Sequence, residues 1–411
     1  MRRLNFRTIT NQKGVALLMA MASLLMMTFI AVEVQYGTQV EALSANQAIN
    51  RLKAYYSAKA GVELSLYRIL TYRKANSQFG KLLGENSQLL DKIWQIPLSW
   101  PITIPNNVAK VNKDQFDKVL KESSFDGKYV TTIESEESKI DINDLGSKAK
   151  VVRDAAKQKI LNIFQQKIKN DESFRDKYDS YNFETLINNI TDWIDEDTTG
   201  VTSGDERSLY SDIKETDKLP PNQPFKTIQE LHLVASMEDA LYDVIAPLLT
   251  VYGSGAINVN QASKEVLMSL DPLITEDMVA KVIERRGNPA LGGPFKNADD
   301  FYGFLDQQGL RAADLKQKNF PLDFSKSVNF RITSLGNAKN IARKIVAIVY
   351  DFDQVKDRLK GQLTTEAAGG NPTNSTPGNP PNNGAPASPT PGTDAPKMQM
   401  GRPTVVYWFE N

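Results

Sequence analysis

The chain has 411 residues, 41% hydrophobic and 24% charged, enough to fold and bury the cores of roughly two or three domains. Lys+Arg and Asp+Glu both number 49, so the net charge is zero and the basic excess of a dedicated nucleic-acid binder is missing. There is no cysteine and one histidine, His232, which excludes disulfides, thiol nucleophiles, Cys-ligated zinc and multi-histidine metal sites.

Residues 1–14, MRRLNFRTITNQKG, carry Arg2, Arg3, Arg7 and Lys13 and no acid. The next 18 residues, Val15–Val32, have no charge. As a helix they rise about 27 Å, close to the thickness of a bilayer's hydrocarbon core. Basic residues ahead of such a span keep the N-terminus cytoplasmic and place the rest outside. A cleaved secretory signal would be shorter and end in a small-x-small site, whereas this run ends in Ala31-Val32-Glu33. A plain signal anchor and a leader cut between Gly14 and Val15 remain. Lys13-Gly14 set directly against the apolar run is the mark of the second, and QKGVALLMAM resembles the leaders of type IV pilins and type II secretion pseudopilins.

No proline interrupts Val32 to about Tyr72, and apolar residues recur in three- and four-residue steps at Tyr36, Val40, Leu43, Ile49, Leu52, Tyr56, Val62, Leu66, Ile69 and Leu70. That spacing predicts one continuous amphipathic helix. Residues 76–128 are irregular, broken by Pro97, Pro101 and Pro105. Tyr129–Ile133 and Lys139–Ile142 alternate in polarity about an acidic turn and predict a β-hairpin. Helical patterns follow at Val151–Ile168, Phe183–Ile194, Ile228–Leu249, Lys264–Leu270, Glu276–Arg286 and Ala298–Gln307. Strand patterns return at Val328–Ile332 and Ile341–Phe352, with a turn near Gly336-Asn337. The expected class is α+β: a membrane-spanning helix over 15–32, then an antiparallel-sheet domain at 33–146 and 326–360, interrupted by an inserted all-α domain at 147–325. The Pro/Gly/Asn-rich stretch 361–403 is a disordered linker by composition. The terminal segment 404–411 holds a strand, Thr404–Phe409, expected to return to the sheet rather than dock on a partner.

PFKTIQEL at Pro224–Leu231 recurs seventy residues later as PFKNADDF at Pro294–Phe301. The intervening order, INVNQASKEVLMSL then a helix ending Arg285-Arg286, resembles helix-hairpin-helix units, which hold phosphate on a Gly-apolar-Gly hairpin. Here the hairpin is Pro272-Leu273-Ile274-Thr275-Glu276-Asp277, with neither glycine and with two acids where phosphate would lie. The unit therefore reads as a scaffold or protein contact. An anchored periplasmic binding protein, with DNA as its ligand, is the alternative. His232 beside Leu231 and Leu233 is a helix-surface or packing histidine, and no nucleophile-elbow or phosphate-loop pattern occurs, so the chain is not expected to be an enzyme.

Asp192, Asp195, Glu196 and Asp197 crowd the predicted C-terminal end of Phe183–Ile194. Like charges repel there and the helix dipole disfavours anions, so a cation would relieve both; a solvated loop is the plain alternative. TDWIDED (Thr191–Asp197), GDERSLY (Gly204–Tyr210), PPNQPFKTIQEL (Pro220–Leu231) and INVNQASKEVL (Ile257–Leu267), following QKGVALLMAM in this order, resemble the K subunit of type II secretion, its large minor pseudopilin. The resemblance covers most of residues 10–350. It implies an inner-membrane, single-pass protein with its bulk in the periplasm of a Gram-negative bacterium. Its partners would be a prepilin peptidase, the major pseudopilin and the I and J minor pseudopilins. It implies structural Ca²⁺ at Asp195, Asp197 and Glu206. Arg207 departs from the family's acid, and Asp205 supplies a carboxylate beside it. It also places Met19 where other pseudopilins carry a glutamate five residues into the mature chain, a change that suits a subunit at the filament tip.

Overall fold

The computed structural model describes residues 12–102, 118, 122, 123, 125, 127–201, 204–211, 219–318, 320–352 and 401–411. Helix α1 runs from Gln12 to Leu83, 72 residues without a break. It outlasts the expected end near Tyr72 because residues 73–83 contain no proline; it stops at Gly84, whose φ of 51° takes the chain out of the helix. Its two halves differ sharply. Residues 14–49 are exposed throughout, whereas Ala54, Ala58, Val62, Leu66, Ile69 and Tyr72 are buried on one face. Their steps of three and four residues hold them on a single stripe.

That stripe packs on a five-stranded sheet made of β1 (Leu98–Trp100), β2 (Lys128–Ser135), β3 (Asn329–Ala338), β4 (Ile341–Tyr350) and β5 (Thr404–Glu410). The strands lie in the order β1-β2-β3-β4-β5 with every neighbour antiparallel. Ile133, Phe330, Ile332, Ile345, Ala347 and Val349 meet Ala58, Val62, Leu66, Ile69 and Tyr72 in one core, with Trp94 between Tyr72 and Phe330. Each buried Val, Ile or Leu contributes about 1.5–3 kcal/mol. The terminal strand β5 returns to the sheet as expected, pairing with β4 from Ile345↔Glu410 to Tyr350↔Thr404, and Val405 and Trp408 pack on the same core. The linker expected at 361–403 lies, up to residue 400, outside the described residues.

The β3–β4 turn falls at Lys339-Asn340, not near Gly336-Asn337. Gly336 has another task. A Cβ there would stand 2.2 Å from the Ala54 carbonyl oxygen and 2.3 Å from the Ala58 nitrogen, so the missing side chain lets strand backbone touch helix backbone. Neither atom has a flexible end to swing away. Gly336→Ala should therefore push α1 off the sheet and lower stability by about 1–3 kcal/mol, the usual range for overpacking. Thermal denaturation against Gly303→Ala, where nothing lies within 4 Å of the new Cβ, checks this.

Residues 136–328, between the paired strands β2 and β3, form a mostly helical body with its own core. It includes helices α2 (Lys150–Asn170) and α3 (Phe183–Ile194). The body is built twice over on one plan. Ile140-Asp141 pairs in parallel with Leu249-Thr250, and Ile257-Asn258 pairs in parallel with Leu322-Asp323. Asn143 clamps Phe225 through its backbone, donating to the carbonyl at 3.1 Å and accepting from N–H at 2.8 Å. Asn260 clamps Phe295 in the same way, at 2.9 Å both times. The recurrent PFK segments are thus the clamped halves of two equivalent units, and both phenylalanines are buried.

Two expectations need correction. Lys139–Ile142 does not complete a hairpin with β2. A 3-10 turn at Glu136–Ser138 redirects the chain so that Ile140 and Asp141 join Leu249 and Thr250 instead. Buried Glu136 fixes that exit, accepting from Arg331 Nε on β3 and from Thr250 Oγ1. The helix expected over Ile228–Leu249 is three short pieces, Ile228–Leu233, Asp239–Ile245 and Ala246–Leu248. Extended Val234 ends the first piece, Ser236 at φ 68° turns the chain onward, and Pro247 narrows the last turn.

Candidate functional site

The acidic cluster forms where α3 ends. Trp193, the last residue but one of α3, is buried, stacked on Phe225 at 5.8 Å and beside Tyr210, and its carbonyl accepts from Gln223 N–H at 3.2 Å. These contacts fix the last turn and with it Asp192, one turn before the extended residue Asp195. The chain then loops back: Gly200 N–H donates to the Gly204 carbonyl at 3.0 Å, and Thr199 bridges Asp205. The return puts Glu206 at the start of the 3-10 helix Glu206–Tyr210, buried against the end of α3.

One carboxylate oxygen each from Asp192, Asp195 and Glu206 lie within 4.8 Å of one another. Asp192 Oδ1 accepts from Val201 N–H at 2.9 Å, and Glu206 Oε2 accepts from Asn222 Nδ2 at 3.1 Å. Asp195 Oδ1 and Glu206 Oε1 are buried with no hydrogen-bond partner. Desolvation, then repulsion from Asp197 and Asp192, pushes Asp195 up to about 6. Desolvation, then Asp195 foremost among the carboxylates, pushes Glu206 up to about 7. Asp192 is raised chiefly by burial, against its bond from Val201.

Of the four residues expected to hold calcium, the fold brings Asp195 and Glu206 together and adds Asp192. Asp197 is exposed, accepts from Thr199 N–H at 2.8 Å, and acts on the other two through its charge. Asp205 caps the 3-10 helix by accepting from Arg207 N–H at 3.0 Å. The donor set suits a hard cation. Oxygens bound to one Ca²⁺ at about 2.3–2.6 Å cannot stand more than about 5 Å apart, and this triad already meets that limit with two buried acceptors left over.

His232 is exposed, 3.3 Å from Asp239, with its ring tilted against Tyr242. At the hairpin Pro272–Asp277, Thr275 caps the helix Glu276–Gly287 and Glu276 pairs with Lys264. Asp271, just before it, pairs with Lys318.

Two family models described as type II secretion system protein K match residues 138–254 and 257–320. Their boundary falls between the two equivalent units: the first model spans one and the second most of the other, stopping just before Leu322-Asp323. These two stretches are similar to the domains of the type II secretion system protein K family. The protein K of Dickeya chrysanthemi is 30% identical over 138 residues, covering 32% of this chain and 36% of the relative. The matched stretch thus spans about a third of that protein K. A chain in the crystal structure of the GspK-GspI-GspJ complex from the enterotoxigenic Escherichia coli type 2 secretion system is also similar, at 18% identity and a TM-score of 0.49. That match covers 75% of this chain and 93% of the other.

Proposed function

We propose that the chain is a non-enzymatic minor pseudopilin, anchored in the inner membrane with its bulk in the periplasm, that caps the tip of the type II secretion pseudopilus with I- and J-type subunits. The observation that carries this reading is α1 itself. An exposed apolar half fit for a membrane or a filament core continues without a break into a half that is the core of a folded head, and the head carries the protein K units. Met19, exposed on α1, adds no buried carboxylate to the apolar run, and a charge at the bilayer centre costs about 2.5–3.5 kcal/mol on insertion scales. The body between β2 and β3 would obstruct a repeating shaft, which favours an end position.

The leader supplies the test. A prepilin peptidase should cut between Gly14 and Val15, leaving Val15 as the new, methylated N-terminus. Intact mass of the chain recovered from membranes reads this directly; a chain still starting at Met1, or starting beyond Val32, defeats it. Gold labelling that found the subunit along the shaft would defeat the tip position.

The same reading includes a structural Ca²⁺ held by Asp192, Asp195 and Glu206, with Asp197 and Asp205 at the rim. The ion would neutralise three converging carboxylates and pin residues 195–206 against α3, fixing the surface of the first unit.

A further inference from the structure

A second charged feature lies where the β3–β4 turn meets α1. The β3–β4 turn points back along α1, and Lys339, Arg343 and Lys344 meet Arg51 around a cleft of about 660 Å³ that Gln47 and Asn50 also line, and its neighbour. All four basic residues are exposed, and none is in an ion pair among the described residues. One acidic side chain, Glu410, shares the rim and accepts from Trp408 Nε1 at 2.5 Å. Four basic side chains against one acidic side chain, Glu410, leave an excess of positive charge, so the arrangement favours an anionic occupant.

Length decides which kind. Arg51 lies 19 residues beyond Val32, about 28 Å along the helix. The headgroup layer reaches only about 5–8 Å past the hydrocarbon. A tilt of about 40° still leaves the collar well over 10 Å clear of lipid. Between membrane and collar, Val34, Tyr36, Val40, Leu43 and Ile49 are each 47–66% exposed on a bare helix. Water is a poor neighbour for that stripe, and lipid does not reach its upper part.

We infer that Arg51, Lys339, Arg343 and Lys344 form a docking collar for the carboxylate-bearing face of another protein subunit, seated along residues 33–50 of α1 beneath the head. The inference rests on the assembly reading above. The apolar stripe supplies contact area and the collar sets register and encounter rate, the usual division between burial and charge at interfaces.

Two experiments on the full chain in detergent test it. Binding to the I- and J-type subunits of the same bacterium is measured for wild type and for Arg51→Glu/Lys339→Glu/Arg343→Glu/Lys344→Glu. The variant should bind at least about tenfold more weakly at 50 mM salt, the gap closing by 500 mM as screening shortens to a few ångströms. Unchanged melting confirms its fold; if the variant does not fold, Arg343→Gln/Lys344→Gln carries the same test with a smaller loss. Photocrosslinking from a benzoylphenylalanine at position 340 should capture an Asp/Glu-rich peptide of another subunit. Equal binding by both proteins, or crosslinks only to lipid or to a peptide without acids, overturns the collar while leaving the assembly reading standing. A wild-type chain that binds neither subunit overturns both.

Discussion

Asp351→Ala should destabilise the sheet domain by about 3–5 kcal/mol, the cost of leaving one buried charge without its partner. Asp351 follows β4 and meets Arg73 of α1 at 2.5 Å, with side chains 1% and 3% exposed. Arg73 Nη1 also donates to the Gly401 carbonyl at 3.0 Å, just ahead of β5, and Asp351 N–H donates to the Val328 carbonyl at 2.7 Å. One ion pair therefore ties together the helix, the end of β4 and the entry to the terminal strand. A guanidinium keeps its charge in proteins, so the penalty falls on the fold. Asp351→Asn, which keeps the shape and removes the charge, should cost nearly as much. Arg73→Met/Asp351→Leu should recover most of the loss, since an apolar pair of similar volume leaves no buried charge behind. Urea denaturation of the full chain in detergent measures all three. Single variants within about 1 kcal/mol of wild type would show that the pair is hydrated in solution and that β5 is held by other contacts.

The sheet, the long helix and the acidic loop were legible in the sequence for different reasons. α1 declared itself by uninterrupted three- and four-residue spacing, a local property. Phe183–Ile194 and Ala298–Gln307 match their expected bounds because Asn182 and Asn297 cap them and the apolar periodicity stops where they stop. The exit at Glu136 was not legible: an acidic turn between two alternating runs looks like a hairpin until Arg331 and Thr250, 195 and 114 residues away in sequence, claim the carboxylate. Gly336 misled in the same way, because a glycine that admits a crossing helix has the local signature of a turn. At the acidic site, the cluster of carboxylates was visible but the choice among them was not. Asp192 and Asp195 share a face by their three-residue spacing. Asp205 and Glu206 are adjacent, and only the 3-10 helix decides which one caps and which turns inward. The doubling of the helical body was half visible, through the PFK repeat; the asparagines that complete each clamp lie 82 and 35 residues from the phenylalanines they hold.

Calcium should raise the melting temperature of the metal-free chain at pH 7.5 by about 5–15 °C once free Ca²⁺ reaches 100 to 1,000 times its dissociation constant. Binding to the folded state alone contributes about 2.7–4.1 kcal/mol over that range, and each kcal/mol moves a domain of this size by about 2–4 °C. The metal-free protein should behave in the opposite way to one stabilised by ion pairs. Asp195 and Glu206 sit at about 6 and 7 in the fold, above their ordinary 3.8 and 4.5, so the folded state holds protons that the unfolded state releases. Their contribution to stability is complete below pH 4 and is lost as pH rises through 6 to 7. Calcium should cancel that loss at neutral pH and have little effect near pH 5, where protons occupy the same oxygens. Magnesium should do less, since it demands tighter octahedral geometry and gives up its water reluctantly. Asp195→Asn/Glu206→Gln separates the site from a general effect of divalent ions. Without metal the variant should melt above wild type at pH 7.5, because the repulsion is gone, and calcium should no longer move it. Asp205→Ala should lose about 1 kcal/mol as a missing cap yet keep most of its calcium response. Differential scanning calorimetry with and without chelator reads every arm. No shift at millimolar calcium, or the same shift in the double variant, would leave the three carboxylates as a strained loop and remove the ion from the account of this subunit.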